Sequence, residues 1–160
     1  MLEQKVLLSQ MPIAIKDSKI DITSENSTKE LAQKFSENLK GGEFIFLYGE
    51  MGVGKTTFVK YFINEFQKIN NLPLTEITSP TFSLLNEYQV KDIRIKHYDL
   101  FRINKKVDTY NLDIFEKDNK LITLIEWPKL IADNQDIKSI DLTFSYLSDL
   151  NNRSVSINFN

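Results

Sequence analysis

Eight consecutive residues carry the plainest chemical signal in this chain. Gly49, Glu50, Met51, Gly52, Val53, Gly54, Lys55 and Thr56 satisfy G-x-x-x-x-G-K-[ST] at every fixed position. Glycines at that spacing let the backbone curl so that successive N–H groups face one concavity, a nest for anions that ordinary side chains would obstruct. A helix starting at Lys55 adds the positive end of its dipole to the same point. The Lys55 ammonium can then reach the β- and γ-phosphates of a nucleoside triphosphate, and the Thr56 hydroxyl is placed to bind Mg²⁺. All 5 glycines lie between residues 41 and 54, so the demand for special backbone geometry is local.

Phosphoryl chemistry needs two more parts, a second anchor for Mg²⁺ and a group that positions the nucleophile. Two acids stand where such groups belong. Glu126 closes the apolar run Leu121, Ile122, Thr123, Leu124, Ile125, and Asp99 closes residues 93–98 just before Leu100, Phe101 and Arg102. The carboxyl edge of a buried strand is where open α/β sheets bind ligands. Either acid could instead be a surface carboxylate at a strand end, and the residues alone do not divide the two roles between them.

Composition narrows the field. There is no cysteine and a single histidine, His97, which removes a disulfide scaffold, a thiol nucleophile and a multi-histidine metal site. Net charge is −2 and the isoelectric point is near 5.5, so direct DNA binding is not expected. Residues 1–15 do not read as a signal peptide, and no apolar run approaches the roughly 18 residues of a membrane span. The expectation is a cytoplasmic protein with no membrane partner. A GTPase switch D-x-x-G and a transporter signature both need glycines that do not occur beyond Gly54. Asn104, Lys105, Lys106 and Val107 fail to complete an N-K-x-D guanine reader, since Asp108 comes one residue late. Arginine occurs only at Arg94, Arg102 and Arg153, which is thin for the arginine-rich lid of a small-molecule kinase.

The elements that must position these groups follow from periodicity. Residues 19–23 alternate as a short strand. Ser27, Thr28, Lys29 and Glu30 form a capping-box pattern ahead of Leu31, Phe35 and Leu39, and Gly41 and Gly42 stop that helix. Residues 44–48 read as a strand buried on both faces, and Phe58, Val59, Phe62, Ile63 and Phe66 mark an amphipathic helix after Lys55. Residues 81–90 and 93–98 predict a hairpin around Lys91 and Asp92. A short helix is expected over 108–116, a buried strand over 121–125, and a closing hairpin from 137–147 and 154–159 through 149–152. No repeat or linker divides the chain, so residues 1–160 are expected to form one P-loop domain. The fold class is α/β, a P-loop NTPase-like three-layer domain with a central mixed or parallel sheet and a C-terminal β-hairpin.

Four blocks occur in order: residues 49–57, 79–84 (Ser-Pro-Thr-Phe-Ser-Leu), 97–102 (His-Tyr-Asp-Leu-Phe-Arg) and 125–128 (Ile-Glu-Trp-Pro). Together they resemble the bacterial TsaE family, the P-loop ATPase of tRNA threonylcarbamoyladenosine biosynthesis. The resemblance runs over about residues 24–130. It departs at Glu50, where Asp is usual, and at Val53, where Ala is usual; Asn111 is the expected stand-in for a family glycine before the last buried strand. The resemblance implies ATP and Mg²⁺ as ligands, with the nucleotide held by residues 49–57, Thr57 included. It implies Mg²⁺ binding by Thr56 and Glu126. It makes Ser79, Pro80 and Thr81 a switch-like loop facing the γ-phosphate, so that Thr81 joins Lys55 and Asp99 as catalytic candidates, with Asp99 placing the attacking water. Trp127 would lie beside the nucleotide, with a plain core role equally open, and the helix start at 24–28 would approach the base. His97 is expected to be structural. The family's role further implies a TsaB–TsaD-type protein pair as partner, with tRNA contacted only through it, and ATP hydrolysis that depends on that pair. Two other functions compete: a P-loop small-molecule kinase, and a nucleotide-gated binding module without useful turnover.

Overall fold

The computed structural model describes residues 14–15, 19–134 and 136–160. The described strands are β1 (Ala14–Ile15), β2 (Lys19–Asp21), β3 (Phe44–Tyr48), β4 (Leu85–Val90), β5 (Ile93–Asp99), β6 (Leu121–Glu126), β7 (Ser139–Tyr146) and β8 (Arg153–Phe159). They form one 8-stranded sheet in the order β1-β2-β8-β7-β3-β6-β5-β4. The four central strands, β7, β3, β6 and β5, run parallel, and the outer strands join antiparallel.

The β-strand period of two sorts β3 between two cores. Ile45 and Leu47 face the helices α1 (Glu25–Asn38) and α2 (Lys55–Ile69), while Phe44 and Phe46 face the opposite side. On the helical side Phe35 of α1 meets Phe58 of α2 edge-on at 5.4 Å, with Phe62, Leu31 and Phe144 fully or almost fully buried around them. The third layer is built of 3₁₀ turns, Lys106–Leu112 and Pro128–Leu130, together with Leu100, Ile114, Ile131 and Ile137. The expected α/β architecture with a mixed central sheet is the observed one.

Several boundaries differ from expectation, each for a local reason. The first helix begins at Glu25, because Ser24 accepts the Ser27 backbone N–H at 3.0 Å and caps a turn earlier than the pattern at Ser27 predicts. Strand β4 begins at Leu85 and not at residue 81. Pro80 O accepts the Leu84 N–H at 2.7 Å, and Leu84 turns the chain at φ 65°. The expected helix over 108–116 is a 3₁₀ turn ending at Leu112. Its carbonyls serve side chains: Thr109 Oγ1 donates to Lys106 O at 2.6 Å and Tyr98 OH to Leu112 O at 2.7 Å. The left-handed residue in this stretch is Asp113 (φ 50°), in place of the expected Asn111. The hairpin turn at Lys91 and Asp92 forms as expected, with Lys91 at φ 53°.

Candidate functional site

The loop between β3 and α2 takes the shape its glycines allow. Gly49, Gly52 and Gly54 have φ of 139°, 77° and 118°. Val53 turns inward and is fully buried in the core below the loop, while Met51 stands 67% exposed at its crest. Gly54 is the N-cap of α2 and supplies no side-chain cap, so the first-turn N–H groups of the helix have no side-chain acceptor there.

Lys55 is 4% exposed and lies across the loop. Its Nζ donates to Gly49 O and Glu50 O, both at 2.8 Å, and sits 4.1 Å from the centre of the Trp127 ring. An ammonium has three N–H donors, so one remains for a ligand. Burial pushes the Lys55 pKa down, while the negative charges of Glu126 and Asp99 oppose that shift. A phosphate in the nest would reinforce the charged form.

Register explains how the two acids meet. On adjacent parallel strands Asp99 pairs with Glu126, so both carboxylates leave the carboxyl edge of the sheet toward the same face. Both are buried. Thr56 Oγ1 lies 2.8 Å from Glu126 Oε1 and 3.0 Å from Oε2, and His97 Nε2 lies 2.9 Å from Oε1. Asp99 serves a different segment. Its Oδ2 accepts the Thr81 hydroxyl at 3.0 Å, with Ser79 Oγ 2.7 Å from Thr81 Oγ1, and its Oδ1 accepts the Phe101 N–H at 2.9 Å. The residues expected to act thus converge, in two groups: Thr56 with Glu126, and Thr81 with Asp99.

A cleft of about 310 Å³ separates and joins them, with Lys55, Thr56, Asp99, Glu126 and Trp127 on its walls. Thr57 borders it and also a second, more polar cleft of about 320 Å³, where Thr23, Glu25, Thr28 and Arg153 surround the start of α1. The Thr56 hydroxyl and the Glu126 carboxylate are hard oxygen donors, a set that suits Mg²⁺. Among the described residues no three His, Asp or Glu side chains converge as a metal cluster.

Two features escape the sequence reading. Phe101 packs on Trp127 at 4.9 Å between ring centres and lines the cleft. His97 touches Glu126, which alternation along β5 could have suggested, since residues 97 and 99 share a face.

The sequence profile of the family described as "Threonylcarbamoyl adenosine biosynthesis protein TsaE" matches residues 22–155. The chain belongs to the TsaE family. Similar proteins include the tRNA threonylcarbamoyladenosine biosynthesis protein TsaE of Rickettsia typhi, 39% identical over 110 residues, which are 69% of this chain and 74% of that one. The protein of the same name from Rickettsia bellii is 35% identical over 133 residues, covering 83% and 90% of the two chains. That of Bacillus subtilis is 30% identical over 120 residues, covering 74% and 72%. In fold the chain resembles the crystal structure of YdiB from Bacillus subtilis, with a TM-score of 0.64 over 91% of this chain and 87% of that one, at 23% identity. TsaE membership assigns the chain to tRNA threonylcarbamoyladenosine biosynthesis and, with the P-loop fold, to a nucleotide-binding role. No described helix is long and apolar enough to cross a membrane.

Proposed function

We propose that this TsaE-family chain binds ATP with Mg²⁺ as one P-loop domain, hydrolyses it slowly by itself, and turns over faster on a TsaB–TsaD-type pair in the cytoplasm. Contact with tRNA is then indirect, through that pair. The observation that carries this reading is the convergence of Lys55, the Thr56–Glu126 pair and the Thr81–Asp99 pair on one cleft.

In this mechanism the nest of loop amides and the α2 N-terminus hold the phosphates, and the free Lys55 N–H bridges the β- and γ-groups. Thr56 and Glu126 hold Mg²⁺, which when bound spreads the charge of the β- and γ-oxygens. Asp99 orients the attacking water, and the Thr81 hydroxyl fixes the rotamer from which it does so. Positive charge near the transferring group is scarce. Lys55 is spoken for by the ground state, and the Arg102 guanidinium lies 4.8 Å from the centre of the Phe82 ring. Phe82 is 87% exposed on the segment that also carries Ser79 and Thr81. A docking protein that orders this segment would complete the charge and the water position together, which accounts for dependence on a partner.

The test is release of phosphate from ATP by the purified chain, alone and with a purified TsaB–TsaD pair. Slow release that rises with the pair supports the reading. Fast release unchanged by the pair, or phosphate passed to a metabolite, overturns it.

A further inference from the structure

His97 is fully buried, and its ring makes a single polar contact, Nε2 to Glu126 Oε1 at 2.9 Å. Its other nitrogen, Nδ1, is buried with no hydrogen-bond partner among the described residues. Because Glu126 Oε1 is an acceptor, the ring hydrogen sits on Nε2. On the same face of the sheet the apolar Ile95 precedes it along β5 and the apolar Leu124 pairs with it on β6, while Asp99 follows it and Asn86 pairs with it on β4. An apolar side chain would fill such a position without leaving a buried nitrogen unpartnered. What the imidazole adds is one fixed N–H aimed at one carboxylate oxygen.

We propose that His97 is a positioning residue for the metal site: it pins Glu126 Oε1, so that Glu126 Oε2 and the Thr56 hydroxyl are presented together to a divalent cation. This rests on the reading of Glu126 as a Mg²⁺ ligand. Without the N–H from His97 the carboxylate is steered only by Thr56, which reaches both oxygens at 2.8 and 3.0 Å and so selects neither. Groups that orient a metal ligand in this way commonly change metal affinity by about 10- to 100-fold when removed.

The experiment measures Mn²⁺ affinity of the full chain in complex with ADP, where no turnover occurs, alongside ADP affinity in EDTA. His97→Leu should weaken Mn²⁺ binding about tenfold or more, on the scale of lost outer-shell contacts, and leave metal-free ADP binding within about twofold. His97→Gln, whose amide nitrogen can stand where Nε2 stands, should recover most of the loss. In a Glu126→Gln background the His97→Leu effect should vanish, since the histidine acts through that carboxylate. If His97→Leu does not fold, the comparison of His97→Gln with the shorter His97→Asn decides, with weakened Mn²⁺ binding expected only for Asn. Equal Mn²⁺ affinity in those two overturns the proposal, as does a His97→Leu loss that falls equally on metal-free ADP. Glu126→Gln separates the two levels. If it lowers Mn²⁺ affinity while His97→Leu does not, only the histidine role fails. If Glu126→Gln itself changes nothing, the metal role of Glu126 fails first.

Discussion

Gly49 and Gly54 are both fixed positions of the motif, yet replacing each with alanine should have different consequences. A Cβ on Gly49 would stand 2.6 Å from the Phe144 carbonyl oxygen, 2.8 Å from Val53 Cγ1 and 3.1 Å from Phe144 Cβ. The nearest of these is backbone of β7, which is held in register against β3 from Ser139 to Thr143 and cannot retreat alone. A Cβ on Gly54 would meet nothing within 4 Å among the described residues. Both residues have positive φ, 139° and 118°, so both substitutions carry backbone strain of about 1–3 kcal/mol. Gly49→Ala adds overpacking of about 1–3 kcal/mol, for a total near 4 kcal/mol against about 2 for Gly54→Ala. In a chain of this size about 1 kcal/mol moves the melting temperature by roughly 2–4 °C. Thermal unfolding followed by far-ultraviolet circular dichroism, without nucleotide, should therefore show Gly49→Ala melting roughly 8–16 °C below the parent and Gly54→Ala roughly 4–8 °C below. Equal melting temperatures, or the reverse order, would refute the claim that β7 crowds the loop at Gly49.

Lys55→Ala should weaken ATP–Mg²⁺ binding roughly 10- to 100-fold by calorimetry, the worth of one charge-assisted contact of about 1.5–3 kcal/mol. Asp99→Asn should leave ATP affinity near that of the parent while slowing phosphate release in the presence of the partner pair; lost binding with normal turnover would reverse the roles given to Asp99 and Glu126. Trp127 is the only tryptophan, and its ring lies 4.1 Å from the Lys55 ammonium, so added ATP should change the intrinsic fluorescence and Lys55→Met should shift the baseline. The Tyr48 phenol is pushed up to about 12 from 10.0 by burial and then by the neighbouring Asp141. A raised folded value means that its contribution to stability is complete below 10.0 and is lost as pH rises through about 12, so Tyr48→Phe should flatten the decline of urea stability across that window.

Legibility in the sequence followed the range of the interactions. The β3 strand and the helix from Lys55 were readable because continuous apolar runs and a period of 3.6 leave few alternatives. The phosphate loop was readable because its backbone demands glycine. The segment from Ser79 to Leu84 was not. Its Thr and Phe residues favour strand locally, but the Thr81 hydroxyl is claimed by Asp99, 18 residues away, and a helix-like turn at Pro80 replaces the ladder. The segment around Lys106 failed in the same way, since the carbonyls that an α-helix would use internally are taken by Tyr98 and Thr109. The pairing of Glu126 with Asp99 was legible only as two acids at strand ends. That they stand side by side is a matter of parallel register, which periodicity along one strand does not contain.

Trp127 joins local strain to the site. It stands at φ 58°, a left-handed conformation that a bulky side chain adopts only at a cost. Pro128 disfavours the right-handed helical region for the residue before it, which leaves extended or left-handed backbone, and the Trp127 N–H is tied to Leu47 O at 3.3 Å as the chain leaves β6. The consequence is geometrical: directly after the Glu126 carboxylate the chain turns back, setting the indole on the Lys55 ammonium and against Phe101. An extended residue there would carry its side chain away from the loop. Lys55 would then lose one wall of its burial, which is the first cause of its lowered pKa. Trp127→Gly accepts the same φ without strain and removes the ring, whereas Trp127→Ala keeps the strain and removes the ring. Trp127→Gly should therefore match or exceed Trp127→Ala in urea stability despite glycine's greater unfolded-state entropy, and both should bind ATP–Mg²⁺ more weakly than the parent. A clearly more stable alanine variant would mean that the turn at 127 is not held by strain, and that the indole reaches Lys55 for some other reason.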